Sequence, residues 1–159
     1  MFGVFKSPSF SDPQLGDLLR SRGLWRGSIT VTAGAAVPLA IAGARGEPDA
    51  QALQAAREVA SQFSSWRSTI EAALFEHYLP YAEPLAGGEL PPPSDGVPRL
   101  EIPRHVWPHV LLVFVSVTPL DNVLTTELGY TTAWDEEHTL GARFQAGKFV
   151  ELCGSVLPP

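Results

Sequence analysis

"AREVASQFSSWRSTIEAALFEHY", residues 56 to 78, is the stretch on which the rest of the chain turns. Within it Val59, Phe63, Trp66, Ile70 and Leu74 recur at spacings of 4, 3, 4 and 4. A helix with about 3.6 residues per turn gathers such positions into one apolar stripe. Arg57, Glu58, Arg67 and Glu71 sit off it. Pro48 suits a first helical turn, where its missing N–H costs nothing, and Glu47 and Asp49 favour the positive end of the helix dipole. Pro80 cannot bond to the preceding turn and predicts a helix end near residue 79. Ser64-Ser65 marks a place for a bend or break, so one long or bent helix is expected over 48–79. Phe63, Trp66 and Phe75 read as core rather than as a ligand platform.

Both flanks read as strands. In "DPQLGDLLRSRGLWRGSITV", 12 to 31, Arg20-Ser21-Arg22 and Gly23 mark a turn. Trp25, Gly27, Ile29 and Val31 then alternate with Arg26, Ser28 and Thr30, the period of a half-buried strand. "AVPLAIAG", 36 to 43, is its partner, with Pro38 placed at an edge or at the strand's start because it has no N–H for a ladder. The first eleven residues read as loosely packed. Beyond the helix, "AEPLAGGELPPPSDGVP", 82 to 98, holds five prolines and three glycines. It reads as a loop, mobile or functional by its length. "VLLVFVSV", 110 to 117, reads as a fully buried strand. Residues 119–122 form a turn, and 123–134 a strand with a bulge at Gly129. "TLGARFQ" and "KFVELCGS" pair across Ala146-Gly147. Strands, a helix, then strands predict a single α+β domain over 1–159. Its antiparallel meander sheet would carry the helix stripe on one face.

The totals narrow the function. The 159 residues are 45% hydrophobic, enough for one core, and 17 acidic against 11 basic residues leave a net charge of −6. Nucleic-acid binders cluster Lys and Arg. The densest basic group here, Arg20, Arg22 and Arg26, reads as a solvated strand edge. An acidic surface suits a basic protein partner instead. Cys153 is the only cysteine, which fits a reducing cytoplasm, and its apolar neighbours suggest a small buried hydrophobe. The run at 29–43 is shorter than the roughly 20 residues of a spanning helix and is broken by Pro38. "MFGVFKSPSF" lacks the charged-then-apolar order of a signal peptide. A soluble cytoplasmic protein without a membrane or nucleic-acid partner is expected.

The densest chemistry lies in "AWDEEHTLGARF", 133 to 144. Asp135, Glu136, Glu137 and His138 are the candidate catalytic residues. Adjacent carboxylates repel, which raises one pKa for proton transfer or invites a divalent cation. A solvated polar turn is the commoner origin of such a run, since most charges are only solvated. Alternation along the strand predicts that Trp134 ends it and turns inward. The three acids stay at least partly wet, and His138 pairs with one of them to hold the corner. His105-Val-Trp-Pro-His109 has the spacing of a helical zinc site, but Pro108 argues against the helix it needs, and on a strand the two histidines stand about 13 Å apart. No HExxH, CxxC pair, EF-hand loop, GxSxG or P-loop is present. No metal and no cofactor is expected.

Gly16, Leu18, Trp25, Gly27 and Ile29, with Trp134 through His138, Leu140 and Gly141, resemble the opening and closing motifs of an uncharacterised family of small bacterial domains. Similar domains occur near toxin–immunity loci, so the resemblance implies protein binding. Three readings follow. The first is a non-enzymatic protein-binding domain of the immunity or inhibitor kind. The second is a small hydrolase or metal-dependent enzyme using residues 135–138. The third is a structural homodimer subunit joined through edge strands. A concave pocket with convergent polar groups beside the corner marks the second; the first needs only an exposed face.

Overall fold

The structure, a computed structural model, describes residues 7–32, 34–86 and 97–159. Three tight turns organise the sheet. Arg22-Gly23, Asp121-Asn122 and Ala146-Gly147 all have positive φ, between 49° and 81°. Two consecutive left-handed residues make a turn whose twist matches that of the flanking strands. The turns join β2 (Gly16–Ser21) to β3 (Leu24–Ile29), β5 (Val110–Leu120) to β6 (Val123–Thr132), and β7 (Leu140–Gln145) to β8 (Lys148–Cys153). Among the described residues, β1 (Ser9–Asp12), β4 (Val37–Ile41) and one helix, α1 (Ala50–Ala86), complete the regular elements with a 3₁₀ segment at Pro103–His109. The eight strands lie in chain order in one sheet, and α1 lies across it, so the fold is α+β.

Six neighbouring pairs are antiparallel, as expected; β4 and β5 are parallel. The sheet is therefore two antiparallel meanders, β1–β4 and β5–β8, joined at a parallel seam. The reason is the crossover: α1 carries the chain back to the end where β4 began, and β5 must then run the same way. Pro38 sits one residue into β4, ahead of the seam, whose pairing starts at Leu39↔Val115.

Asp49 caps α1: its Oδ2 accepts the Ala52 N–H at 2.9 Å. Pro48 thus lies before the helix, not in its first turn. The helix is continuous through Ser64-Ser65 and also through Pro80, ending at Ala86 rather than near residue 79. Pro80 forfeits one backbone bond, but the turn beyond it is held from outside: the Tyr81 hydroxyl donates to Asp135, and Ala82 packs on the core. The expected loop at 82–98 therefore starts as helix; its residues 87–96 lie outside the described residues.

The stripe Val59, Phe63, Trp66, Ile70 and Leu74 is buried as its spacing predicted. It meets Trp25, Leu39, Val115, Leu128 and Phe144 from the sheet. Trp66 stacks on Phe144 at 4.0 Å, and its Nε1–H donates to the Gly147 carbonyl at 3.0 Å. Each such aromatic pair adds about 0.5–1.5 kcal/mol beyond its buried area.

Other local expectations shift. Ser9–Asp12 is strand β1 rather than loose chain, and Asp12 anchors its turn. The Asp12 carboxylate is buried, accepts the Gln14 and Leu15 N–H groups, and pairs with Arg57 of α1. Pro119 and Leu120 belong to β5, not to a turn, and Leu111 at 64% exposure makes β5 only partly buried. The bulge expected at Gly129 lies on the opposite strand: pairing passes from Leu112↔Tyr130 to Phe114↔Gly129, leaving Val113 extra. Gly129 is glycine because the Phe114 ring lies over it; an added Cβ would stand 2.1 Å from that ring. Phe114 alternates with Val115 and so faces away from α1. On that face the chain after β8 folds back, Val156 N–H to Thr139 O and Arg26 Nη1 to Pro159 O. Cys153 is half-buried at the end of β8, not enclosed, with its thiol toward the Ser155 carbonyl. No helix among the described residues is long and apolar enough to cross a membrane.

Candidate functional site

β6 delivers its alternate residues Thr126, Leu128, Tyr130 and Thr132 to the buried face, and Trp134 follows them inward at 4% exposure. The Trp134 Nε1–H donates to Nδ1 of His77 at 3.0 Å. His77 must present that nitrogen unprotonated, and its burial, opposed by the Asp135 charge, holds its pKa below the ordinary value. The Ala133 N–H donates to the His109 carbonyl, tying the corner to the 3₁₀ segment.

Asp135 differs from expectation. It is buried, at 7% exposure, rather than wet. A buried carboxylate needs donors, and two side chains supply them, while the Asp135 backbone N–H finds its own acceptor. Tyr81 O–H donates to Oδ2 at 2.9 Å, His138 Nδ1 lies 3.0 Å from each oxygen, and the Asp135 N–H itself is capped by Thr132 Oγ1. Burial pushes the Asp135 pKa up, yet the Tyr81 and His138 bonds outweigh it and leave the carboxyl below its usual range. Burial, then the Asp135 bond, pushes the Tyr81 phenol up. His138 therefore pairs with an acid as the sequence predicted, with its side chain 46% exposed. Glu136 and Glu137 are exposed, as expected.

The structure thus brings Asp135 and His138 together and leaves Glu136 and Glu137 in solvent. The open depression of about 440 Å³ at the corner is lined by Tyr81, Val97 and Ala133 through His138. Among the described residues its lining offers no serine, threonine or cysteine as a nucleophile, and the one hydroxyl there is committed to Asp135. Among the described residues no group of three His, Cys, Asp or Glu side chains could hold a metal ion. His105 and His109 lie on the 3₁₀ segment, helical despite Pro108. With about three residues per turn there, positions four apart point roughly 120° away from each other rather than stacking.

His77 and Tyr81 were missed from sequence. They lie four apart on α1 and meet the corner from the helix side, but Tyr81 follows the proline taken as the helix end. Had the helix been continued past Pro80, their i, i+4 spacing would have put both on one face.

Fold and corner together define a small α+β domain in which the end of a long helix pins an acidic turn. The chain belongs to a family of domains of unknown function: the family model described as domain of unknown function (DUF6985) matches residues 15–156. No curated protein and no solved structure matches the chain.

Proposed function

We propose that this domain is a non-enzymatic binding module of the immunity or inhibitor kind, acting in the bacterial cytoplasm, that docks a basic protein on its acidic corner. The observation that carries this reading is the division of labour among the acids. Asp135 spends its carboxylate on Tyr81 and His138, while Glu136 and Glu137 stand exposed with no side-chain hydrogen bond or ion pair among the described residues. A turn fixed from beneath presents two carboxylates at small cost in ordering on binding. The net charge of −6 adds long-range attraction for a cationic surface. The Asp135–His138 pair alone favours a second reading, a small hydrolase, but among the described residues no nucleophile lines the depression it faces.

The test is charge reversal on a folded background. Glu136→Lys/Glu137→Lys should melt with the wild type, because both side chains are exposed. The wild type should retain a basic polypeptide from an extract of the source cells, released by salt and not retained by the double variant. Equal retention by both proteins refutes docking at the corner. Ester or phosphoester turnover that disappears in His138→Ala replaces it with the hydrolase reading. Concentration-dependent dimerisation abolished by prolines in β1 or β8 would favour the homodimer.

A further inference from the structure

A second depression, sharing no lining residue with the corner, opens at the parallel seam. β4 and β5 pair only from Leu39↔Val115 onward. Ahead of that point Pro38 has no N–H to offer and Val113 bulges out, so the two strands part. The gap is a pocket of about 420 Å³, within the range of small-ligand sites. Val37 from β4 and Val110 to Leu112 from β5 form one side; Phe63 and Arg67 of α1 form the other, with Trp107 and Tyr130 between them.

Two of these residues are incomplete as they stand. The Tyr130 side chain is buried, at 2% exposure, and its hydroxyl is the one enclosed side-chain polar atom without a hydrogen-bond partner among the described residues. An enclosed phenol without an acceptor forgoes the hydrogen bond it makes in water, a loss that a ligand bringing an acceptor recovers. Arg67 makes no ion pair within the described residues; its guanidinium lies over the Trp107 ring, 5.0 Å from the centroid. The indole is itself clamped, because its Nε1–H donates to Glu71 Oε2 at 2.7 Å. Glu71 is thereby committed to the indole edge, leaving Arg67 as the cationic group in the pocket lining. Phe63 and Tyr130 meet the same indole edge-on at 6.1 and 6.4 Å. A flat apolar body fits such walls, and a carboxylate matches the planar fork of Arg67.

We propose that this pocket binds a small organic carboxylate with a flat, apolar body, its carboxylate on Arg67 and its acceptor capacity shared with the Tyr130 hydroxyl. The site is independent of the acidic corner: Arg67 and His77 are ten residues apart on α1, about 15 Å of helix.

Titration of the full chain with naphthoate and with neutral naphthamide, read by the Trp107 indole N–H resonance, tests this. Naphthoate should shift that resonance saturably, and naphthamide should bind about tenfold or more weakly, the weight of one charge-assisted contact. Arg67→Gln should erase the preference for the acid, and Arg67→Lys should restore part of it. Tyr130→Phe should melt at or above the wild type, since it removes an unpartnered hydroxyl, yet bind naphthoate several-fold more weakly. Glu136→Lys/Glu137→Lys should bind as the wild type does, so failure here is separable from failure at the corner. Absence of a saturable shift overturns the proposal. So do equal affinities for acid and amide, or for Tyr130→Phe and wild type.

Discussion

Gly129→Ala adds one methyl group where the structure leaves no room for it. The new Cβ would lie 2.1, 2.5 and 2.6 Å from Cε1, Cδ1 and Cζ of Phe114. Ordinary carbon contacts are about 3.5–4.0 Å, so the ring must retreat by roughly 1.5 Å. Phe114 is 1% exposed and fixed opposite Gly129 in the ladder, so a retreat forces neighbours to move. Overpacking of this kind costs about 1–3 kcal/mol, here at the upper end. Ala recovers about 0.5–1 kcal/mol of backbone entropy relative to Gly in a strand. The net loss is about 2 kcal/mol, or roughly 4–8 °C in Tm for a domain of this size. The assay is a double-mutant cycle by urea melts. Phe114→Ala alone should cost about 3–5 kcal/mol. In that background Gly129→Ala should be neutral or stabilising, giving a coupling energy of about 2 kcal/mol or more. Gly129→Ala within about 0.5 kcal/mol of the wild type, the scale of surface changes, refutes the packing account. Equal cost in both backgrounds does so as well.

Other outcomes follow from the same structure. Trp134→Ala should lose about 3–5 kcal/mol or unfold the domain, whereas Glu136→Ala should stay within about 0.5 kcal/mol in denaturant melts; equal losses would make the acids structural. Asp12 has its pKa lowered from 3.8, chiefly by the Arg57 bond, so its contribution is full above about pH 4 and is lost as pH falls through the folded value. The stability gap between the wild type and Asp12→Asn should therefore narrow below about pH 4 in pH-dependent melts. His77 has its pKa lowered from 6.5 by burial; the unfolded chain takes up the proton first, so acid should begin to cost stability below about pH 6.5, and the His77 ring should titrate below that value by NMR. Thermal melts with and without a chelator should overlay.

The helix stripe and the three tight turns were legible because their signals are local. Val59 to Leu74 repeat within five turns, and Arg22-Gly23 and Ala146-Gly147 fix their hairpins by backbone preference alone. The parallel seam was not legible, because it depends on where a long helix delivers the chain and not on any residue in β4 or β5. The end of the helix was misread for the same reason: Pro80 acts locally, while Tyr81 is held by Asp135, 54 positions away. At the corner, Trp134, the exposed glutamates and the His138 pairing could be inferred from alternation and charge. The burial of Asp135 could not, since its donor Tyr81 lies on another element. Gly129 was seen as unusual but for the wrong reason, because the ring that excludes a side chain belongs to the neighbouring strand. The pocket at the seam draws on residues far apart in the chain, among them Val37, Phe63, Arg67, Trp107, Leu112 and Tyr130, and no local pattern assembles them.

The seam also orders events in time. Hairpins closed by two-residue turns form in microseconds, so β2–β3, β5–β6 and β7–β8 can each zip without waiting for the rest. Joining β4 to β5 brings together residues as remote as Leu39 and Val115 and must first overcome the loss of chain freedom in everything between them. The two meanders are thus expected to form first and their union across α1 to follow as the slower step. Loss of the Leu39↔Val115 pairing would separate the two meanders, so a ligand held between Val37 and Leu112 is expected to slow unfolding.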